Sequence, residues 1–298
     1  MNPIREKTEY ALTKGFFVLL KVCPAPLIYG VCRGVAFLFY ALAAKRRHIT
    51  MKNLLIAFPK LPIRERRRIA REAYDHFGQM IAESAMILSG KITRDDLAMI
   101  VDGEAMQTLR KLEASTPLGV LAITGHLGNF ELLAHYTGSH AERQSHVVAR
   151  KGSNHLIDEK IVTPMRESFG NSVIYKTRAL PQVIRALKKG EHIGLLIDIK
   201  TNARQGVPVT FFGKETLGLT SSAFLQIKLN PIVVPVAMVR VAPKRYRLKV
   251  SDPIPWEDNG APKDEQIAQL TQLHQSALEQ LIRETPEQWL WMHNRWKN

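Results

Sequence analysis

The residues best suited to chemistry lie in segment 125–131, Gly-His-Leu-Gly-Asn-Phe-Glu, which follows the apolar run 118–124. That run predicts a buried strand, and the glycine and asparagine predict a turn that opens into a helix. Across such a corner His126 and Glu131 can meet, although on one continuous helix they would face different sides. A neutral imidazole can take a proton from a hydroxyl group, and a carboxylate behind it can hold the required tautomer. The spacing therefore predicts His126 as a general base oriented by Glu131.

Other polar residues lie at or just beyond the ends of predicted strands. Arg150 follows one strand, with Asn154 in the next turn, and Asp198 ends another strand before a basic loop that contains Arg204. Taken singly, each is most simply a surface charge, and the histidine segment is most simply a capped helix. Ligands of α/β proteins bind where strand ends meet the following loops. We therefore expect these residues to line one crevice with His126.

From about residue 100 the chain alternates predicted helices and strands. Strands are predicted at 118–124, 145–149, 172–175, 192–198, 207–212, 232–239 and 246–250, and helices at 104–112, 156–169, 181–189, 217–229 and 264–283. This alternation predicts an α/β fold with a sheet covered by helices on both faces. We expect a mixed sheet, because the connections around 207–212 and 239–246 are short enough for antiparallel neighbours. A short helix is also expected at 51–58.

The overall composition restricts the classes of function. The chain of 298 residues has 42 Lys and Arg against 27 Asp and Glu, a net charge of +15 that favours polyanionic partners. Only Cys23 and Cys32 occur, without a nearby histidine or a Cys-x-x-Cys spacing, which argues against a disulfide scaffold, a zinc site or a catalytic thiol. No metal-ligand cluster or nucleotide-binding glycine loop is present in the sequence, so we expect neither a metal nor a cofactor.

The N-terminal segment is apolar over residues 15–44, apart from Lys21, Arg33 and a break at Pro24 and Pro26. Its longest uninterrupted apolar runs have 11 residues, short of the ~18–20 that cross a bilayer. We predict membrane attachment through two helices within residues 1–47, the second interfacial or spanning, with one domain over residues 48–298. A span would place Arg33 in the membrane at a cost of about 3 kcal/mol. The alternative is a helical hairpin buried in a soluble core.

These blocks, in this order, resemble the lysophospholipid acyltransferase superfamily, and within it the late acyltransferases of lipid A biosynthesis, of the lauroyl or myristoyl transferase type. The residues that carry the resemblance are Asn53-Leu54 with Ala57-Phe58-Pro59, segment 125–131, Arg150 with Asn154, Asp198, Arg204-Gln-Gly206 leading to Phe211-Phe212-Gly213, and Trp289-Leu-Trp-Met-His-Asn-Arg295. The chain departs from the pattern at Ile199, where many members carry glutamine.

The resemblance implies transfer of a fatty acyl chain from acyl carrier protein to a hydroxyl of a lipid A precursor. It also implies that this takes place at the cytoplasmic face of the inner membrane. His126 would accept the hydroxyl proton during attack on the thioester, and Glu131 would orient the imidazole and stabilise its cation. No covalent acyl-enzyme is required. Turn N–H groups near Gly128 and Asn129 are candidates to bind the oxyanion of the tetrahedral intermediate.

Substrate binding is expected at the remaining residues of the predicted crevice. Arg150 and Arg204 suit an acceptor phosphate, because a guanidinium can form bidentate bonds to it, and Asn154 and Asp198 complete the set. A competing role for Arg150 is a structural ion pair with Asp198. The expected partners are acyl carrier protein, the phosphorylated glycolipid acceptor and an anionic membrane surface.

Two alternatives to this function remain open at the level of sequence. The acceptor could be another membrane lipid, such as a glycerophospholipid or a glycosylated phosphatidylinositol, because the same catalytic corner would serve. Outside enzymes, the chain could be a basic protein that binds membranes or nucleic acid. Its aromatic residues are not interleaved with a basic strand face as base stacking requires. We therefore expect no nucleic-acid partner.

Overall fold

Nine strands form two sheets in the described part of the computed structural model, residues 3–102 and 104–296. The strands are β1 (Val101–Asp102), β2 (Leu121–Thr124), β3 (Ser145–Ala149), β4 (Asn171–Tyr175), β5 (His192–Leu196), β6 (Gly206–Phe211), β7 (Lys214–Leu219), β8 (Val233–Ala242) and β9 (Arg245–Val250). Seven of them form one sheet in the order β1-β9-β8-β2-β5-β3-β4, and β6 pairs with β7 separately. Neighbours in the large sheet are parallel except β8 and β9, which confirms the predicted mixed sheet.

Helices cover both faces of the large sheet. They are α1 (Pro3–Val22), α2 (Ala25–Leu42), α3 (Ala44–Ala57), α4 (Ile63–Leu88), α5 (Arg94–Ile100), α6 (Glu104–Ala114), α7 (Phe130–His140), α8 (His155–Ile157), α9 (Thr163–Glu167), α10 (Ala179–Lys188), α11 (Ser221–Leu229) and α12 (Lys263–Glu284). A π-helical turn, Asp158–Val162, joins α8 to α9, and a 3-10 turn, Pro286–Gln288, follows α12.

Alternate residues of the central strands enter two separate hydrophobic clusters. In β8, Val233 and Val239 belong to the cluster that includes α4, α10 and α12, whereas Val234 and Val236 belong to the one that includes α6 and α7. Successive side chains of a strand point to opposite faces, so a strand covered on both sides is apolar at every position. The two clusters confirm the predicted α/β fold with helices on both faces of the sheet.

The N-terminal segment forms two helices that meet at Pro24. Pro24 has an extended backbone at the start of α2, because a proline cannot continue the preceding helix. One face of α2 packs against α4 through Ile28 and Cys32. The helices approach so closely at Gly78 of α4 that an added Cβ would lie 2.9 Å from the Cys32 carbonyl oxygen. A glycine is therefore required at this crossing.

Many large apolar side chains of α1 and α2 are exposed. Their large exposed side chains are Leu12, Phe16, Val18, Leu19, Val22, Leu27, Val31, Val35, Phe37, Leu38, Phe39 and Leu42. Arg33 is not isolated, since it pairs with Asp75 of α4 at 2.6 Å. Among the described helices, α2 alone is long and apolar enough to cross a bilayer, with a mean hydropathy of 1.6 over 18 residues.

The region predicted as helix 217–229 differs from the observed structure. The helix begins only at Ser221, because residues 214–219 form β7. Phe212 and Gly213 both have positive φ, 52° and 72°, and reverse the chain so that β7 pairs with β6. Two-residue turns of this kind match the twist of antiparallel strands. The hairpin therefore replaces the first turn of the predicted helix.

Helix α3 is longer than predicted, since it begins at Ala44 rather than at residue 51. Residues 45–48, Lys-Arg-Arg-His, therefore lie on a helix, and this helix continues through the predicted boundary between residues 47 and 48. Helix α5 was not predicted, although a capping box formed by Thr93 and Asp96 marks its start.

Candidate active site

A tight corner between β2 and α7 carries His126. The side chain of Asn129 caps α7 by accepting a hydrogen bond from the Leu132 backbone N–H at 2.9 Å. Gly128 has φ +59°, and a Cβ at this position would lie 2.0 Å from the carbonyl oxygen of Met238 in β8. The corner is thus pressed against the neighbouring strand, which only glycine permits.

Asp198 holds His126 in place. It follows β5, the parallel neighbour of β2, and its Oδ1 lies 2.9 Å from His126 Nδ1. Its Oδ2 accepts a second hydrogen bond from the His126 backbone N–H at 2.7 Å. An ionised carboxylate can only accept, so the ring proton lies on Nδ1 and leaves the lone pair on Nε2. The imidazole is therefore oriented as a base whose free nitrogen is Nε2.

The C-terminal segment completes this arrangement. Trp289 donates a hydrogen bond from its ring nitrogen to Asp198 Oδ2 at 2.9 Å. The next residue, Leu290, donates its backbone N–H to the His126 carbonyl oxygen at 3.1 Å. Asp198 is 3% exposed, so its carboxylate is held from three directions with almost no contact with water. It orients His126, and the prediction that it contacts substrate is not supported by this position.

The pKa values of the pair shift in opposite directions. Burial acts to lower the pKa of His126, but the Asp198 charge and hydrogen bond outweigh it, so the pKa lies above the ordinary 6.5. Burial acts to raise the pKa of Asp198, yet the His126 charge and the hydrogen bonds lower it to about 2. A carboxylate that stays ionised beside the ring makes His126 a stronger base and stabilises its cation.

Glu131 does not contact the His126 ring, contrary to the sequence-based expectation. It lies in the first turn of α7 and pairs with Arg166 of α9, with a shortest distance of 2.6 Å between Arg166 Nη2 and Glu131 Oε1. Because α7 begins at Phe130, the helical turn directs Glu131 towards α9 while Asp198 fills the place beside His126 Nδ1. The charge of Glu131 still contributes to raising the pKa of His126.

The backbone N–H groups of Gly128 and Asn129 are engaged within the protein. Gly128 donates to the Gln288 carbonyl oxygen at 2.9 Å, and Asn129 donates to that of Met238 at 2.8 Å. Neither N–H is therefore available to an oxyanion, and this expectation is wrong. Both groups instead fix the corner to the C-terminal segment and to β8.

A buried polar cluster supports the corner from behind. The Asn129 side-chain amide donates to Glu83 of α4 at 2.7 Å, and Arg240 donates two hydrogen bonds to the same carboxylate at 2.8 and 2.9 Å. Tyr29 of α2 and Tyr246 of β9 also donate their hydroxyl groups to Glu83. Glu83 is 2% exposed, so its charge is balanced by Arg240 and four residues satisfy its oxygens.

The remaining predicted substrate-binding residues lie in two loops, one after β3 and one after β5. Asn154 is 6% exposed, caps α8 and donates to Glu6 and Glu9 of α1, so it ties α1 to the domain. Arg150, beyond the end of β3, and Arg204, in the loop after β5, are exposed. The predicted alternative of an ion pair between Arg150 and Asp198 is wrong, because Asp198 pairs with His126.

A largely apolar cavity lies between α6, α7 and one face of the sheet. Phe130 lines this cavity and also stacks edge-on against the His126 ring, with centroids 4.9 Å apart. Thr124 and Leu196, at the ends of β2 and β5 nearest to His126, line it as well. His126 therefore lies beside a largely apolar cavity, which it borders through Phe130.

A model of the bacterial lipid A biosynthesis acyltransferase family matches residues 2–298 of the chain. The chain belongs to this family. It is therefore an acyltransferase of lipid A biosynthesis, and its acceptor is a lipid A precursor.

Individual members of the family are similar to the chain over most of its length. It is 25% identical over 285 residues to the lipid A biosynthesis lauroyltransferase of Escherichia coli (strain K12), covering 95% of this chain and 89% of the relative. It is 26% identical over 255 residues to the palmitoleoyltransferase of the same organism, covering 85% and 79%. A lipid A biosynthesis acyltransferase of Haemophilus influenzae is 24% identical over 279 residues, covering 92% and 85%.

Three residues of this acyltransferase site were not assigned a role from the sequence. Arg166 is one of many basic residues and lies 35 positions from Glu131, so no local pattern marks it. Glu83 lies on a long helix whose spacing indicates only amphipathicity. Trp289 belongs to a segment that carried the resemblance, which was the one available signal.

In residues 3–102 and 104–296, no group of three or more His, Cys, Asp or Glu side chains could bind a metal ion.

Replacing Asp198 tests whether it tunes the base. His126 must be neutral to accept a proton, so acyl transfer should fall as the pH drops through its pKa, above 6.5. Asp198→Asn removes the charge that raises this pKa. The acid limb of kcat/KM should then move to lower pH while kcat falls by about 10²–10⁴. Asp252→Asn, at an exposed site, is the matched control. If Asp198→Asn left both kcat and the acid limb of the kcat/KM profile unchanged, Asp198 would have only a structural role.

Proposed function

We propose that this family member transfers a fatty acyl chain from acyl carrier protein to a hydroxyl of its lipid A precursor at the cytoplasmic face of the inner membrane. The observation that carries the proposal is an oriented, Asp198-paired imidazole whose ring contacts Phe130, a residue that lines a largely apolar cavity. A thioester at the mouth would place its alkyl chain inside and its carbonyl beside His126. Each methylene that leaves water contributes about 0.8 kcal/mol.

His126 supplies the proton transfers of this reaction. Its Nε2 takes the proton of the acceptor hydroxyl as the oxygen attacks the thioester carbonyl, and Asp198 stabilises the imidazolium that forms. Collapse of the tetrahedral intermediate breaks the carbon–sulfur bond, and the imidazolium returns the proton to the departing thiolate. The products are the acyl ester and the free thiol of the carrier. No acyl-enzyme is formed.

Glu131 retains an electrostatic role in this proposal. Its carboxylate is fixed by Arg166 and adds to the negative field that favours the His126 cation. The salt bridge also joins the first turn of α7 to α9 next to the catalytic corner. Loss of either charge would leave the other partly buried and unpaired, at a cost of several kcal/mol.

The exposed guanidinium groups of Arg150 and Arg204 are proposed to bind phosphate. Arg150 directly follows β3, and Arg204 lies in the loop after β5, so both lie beyond the carboxyl ends of strands. These strands are parallel to β2, and β5 lies between β2 and β3 in the sheet. Phosphates of the glycolipid and of the carrier protein's prosthetic group both suit such groups. The net charge of +15 attracts these acidic partners and an anionic membrane surface.

The exposed apolar faces of α1 and α2 are proposed to attach the protein to the membrane. Helices α4 and α8 pack against them on one side, while many of their large apolar side chains are exposed on the other. A helix that is apolar on one side and held by protein on the other suits the membrane interface. This attachment would bring the mouth of the cavity close to a lipid acceptor.

Removal of the imidazole tests the proposed mechanism. We expect His126→Ala to lower the rate of acyl transfer by about 10²–10⁴, measured by mass spectrometry of the acceptor with acyl carrier protein thioesters as donors. His155→Ala, an exposed histidine on α8, should retain the wild-type rate. Near wild-type transfer by folded His126→Ala would contradict the mechanism. Transfer to glycerophospholipids but not to a lipid A precursor would contradict the acceptor.

Charges on the exposed face of α2 test the membrane assignment. Val31 and Leu38 are 49% and 55% exposed, so Val31→Glu with Leu38→Glu should not disturb the packing on α4. We expect binding to vesicles that contain phosphatidylglycerol to weaken by about tenfold or more. Leu273→Glu on α12, where the side chain is 51% exposed, is the matched control. Equal vesicle binding by all three proteins would show that attachment resides elsewhere.

A further inference from the structure

The cavity beside His126 extends along β2 and β5 from the carboxyl ends of these strands to their amino ends. Strands β2 and β5 are parallel and in register, with Thr124 opposite Leu196 and Leu121 opposite Ile193. Their carboxyl ends lie at His126, so their amino ends, at Val120 and His192, lie at the far end of the cavity. Four residues of strand cover about 13 Å. This distance sets the scale of the chain that fits inside.

A buried ionisable pair closes the far end. His192 Nε2 lies 2.6 Å from Glu113 Oε1, and the two side chains are 10% and 5% exposed. His192 Nδ1 accepts a hydrogen bond from the Val120 backbone N–H at 3.0 Å, so the ring proton lies on Nε2 and faces the carboxylate. Both residues line the cavity. Elsewhere its wall is formed largely by apolar side chains such as Met106 and Leu133.

We propose that the Glu113–His192 pair is the floor of the acyl cavity and determines which chain length this enzyme transfers. The inference rests on the proposed function, since it takes the cavity to hold the acyl chain. A methyl terminus pushed between Glu113 and His192 would separate the carboxylate from the imidazole and leave both polar groups buried against an alkyl chain, which is unfavourable. The pair is held in place because Glu113 lies on α6, His192 lies on β5, and Val120, directly before β2, donates a hydrogen bond to the His192 ring.

Gly194 provides a way to shorten the same cavity. It lies on the cavity wall in the middle of β5, two residues nearer the mouth than His192. A Cβ added at Gly194 would meet no atom closer than 3.7 Å, so a small side chain fits without moving the backbone. Such a side chain would occupy space that the acyl chain otherwise uses.

The test uses two sets of variants that should shift the preferred acyl chain length in opposite directions. Decanoyl, lauroyl, myristoyl and palmitoyl thioesters of acyl carrier protein compete for the lipid A precursor, and mass spectrometry reports the products. Gly194→Ala and Gly194→Val should shift the preference to shorter donors, and the double variant Glu113→Ala with His192→Ala to longer ones. The double change leaves neither charge buried alone. Each shift should change the ratio of kcat/KM for adjacent donors by about tenfold or more.

A second histidine–glutamate pair, near the amino ends of β3 and β5, supplies the matched control. Glu191 lies 2.8 Å from His146 Nε2 and does not line the cavity, so Glu191→Gln should leave the preference unchanged. Unchanged donor ratios in the Gly194 variants and in the double variant, with active wild-type enzyme, would overturn the floor assignment. Absence of transfer by wild type from every donor would instead overturn the proposed function.

Discussion

The candidate active site depends on one buried carboxylate, that of Asp198. It accepts hydrogen bonds from the His126 ring, the His126 backbone and the Trp289 indole, and it is almost fully shielded from water. An ionised group in such a place is stable only when its oxygens are satisfied and an opposite charge is near. The three donors satisfy the oxygens, and the cation that His126 forms on protonation supplies the opposite charge.

This requirement explains why distant segments of the chain meet at the corner. β5 delivers Asp198, the C-terminal segment delivers Trp289, and β8 presses on Gly128 from the other side. The Glu83 cluster then links the cap of α7 to α2 through Tyr29. The apolar helix that we propose as a membrane anchor is therefore connected to the catalytic corner by two hydrogen bonds. The packing of α2 and the position of the His126 corner are therefore linked through Glu83.

Sequence patterns predicted the local parts of this site but not its contacts. The apolar run before His126 and the Gly-Asn turn were sufficient to place a histidine at a strand–turn–helix corner, and strand 145–149 agrees with β3. Glu131 was taken as the orienting group because it is near in sequence, whereas the actual partner is 72 residues away. The pairing order of parallel strands decides such contacts, and periodicity carries no information on that order. For the same reason Asn154 was assigned to substrate, although it caps α8 against α1.

The most direct test of the Asp198–His126 contact is nitrogen-15 NMR of the His126 ring, assigned by comparison with His126→Ala. At a pH above the pKa of His126, the contact predicts a single neutral tautomer with the proton on Nδ1 and a free Nε2. Lowering the pH should protonate Nε2 at a value above 6.5. A ring with its proton on Nε2, or an even mixture of both tautomers, would contradict the claim that Asp198 holds the proton on Nδ1 and leaves Nε2 as the basic nitrogen.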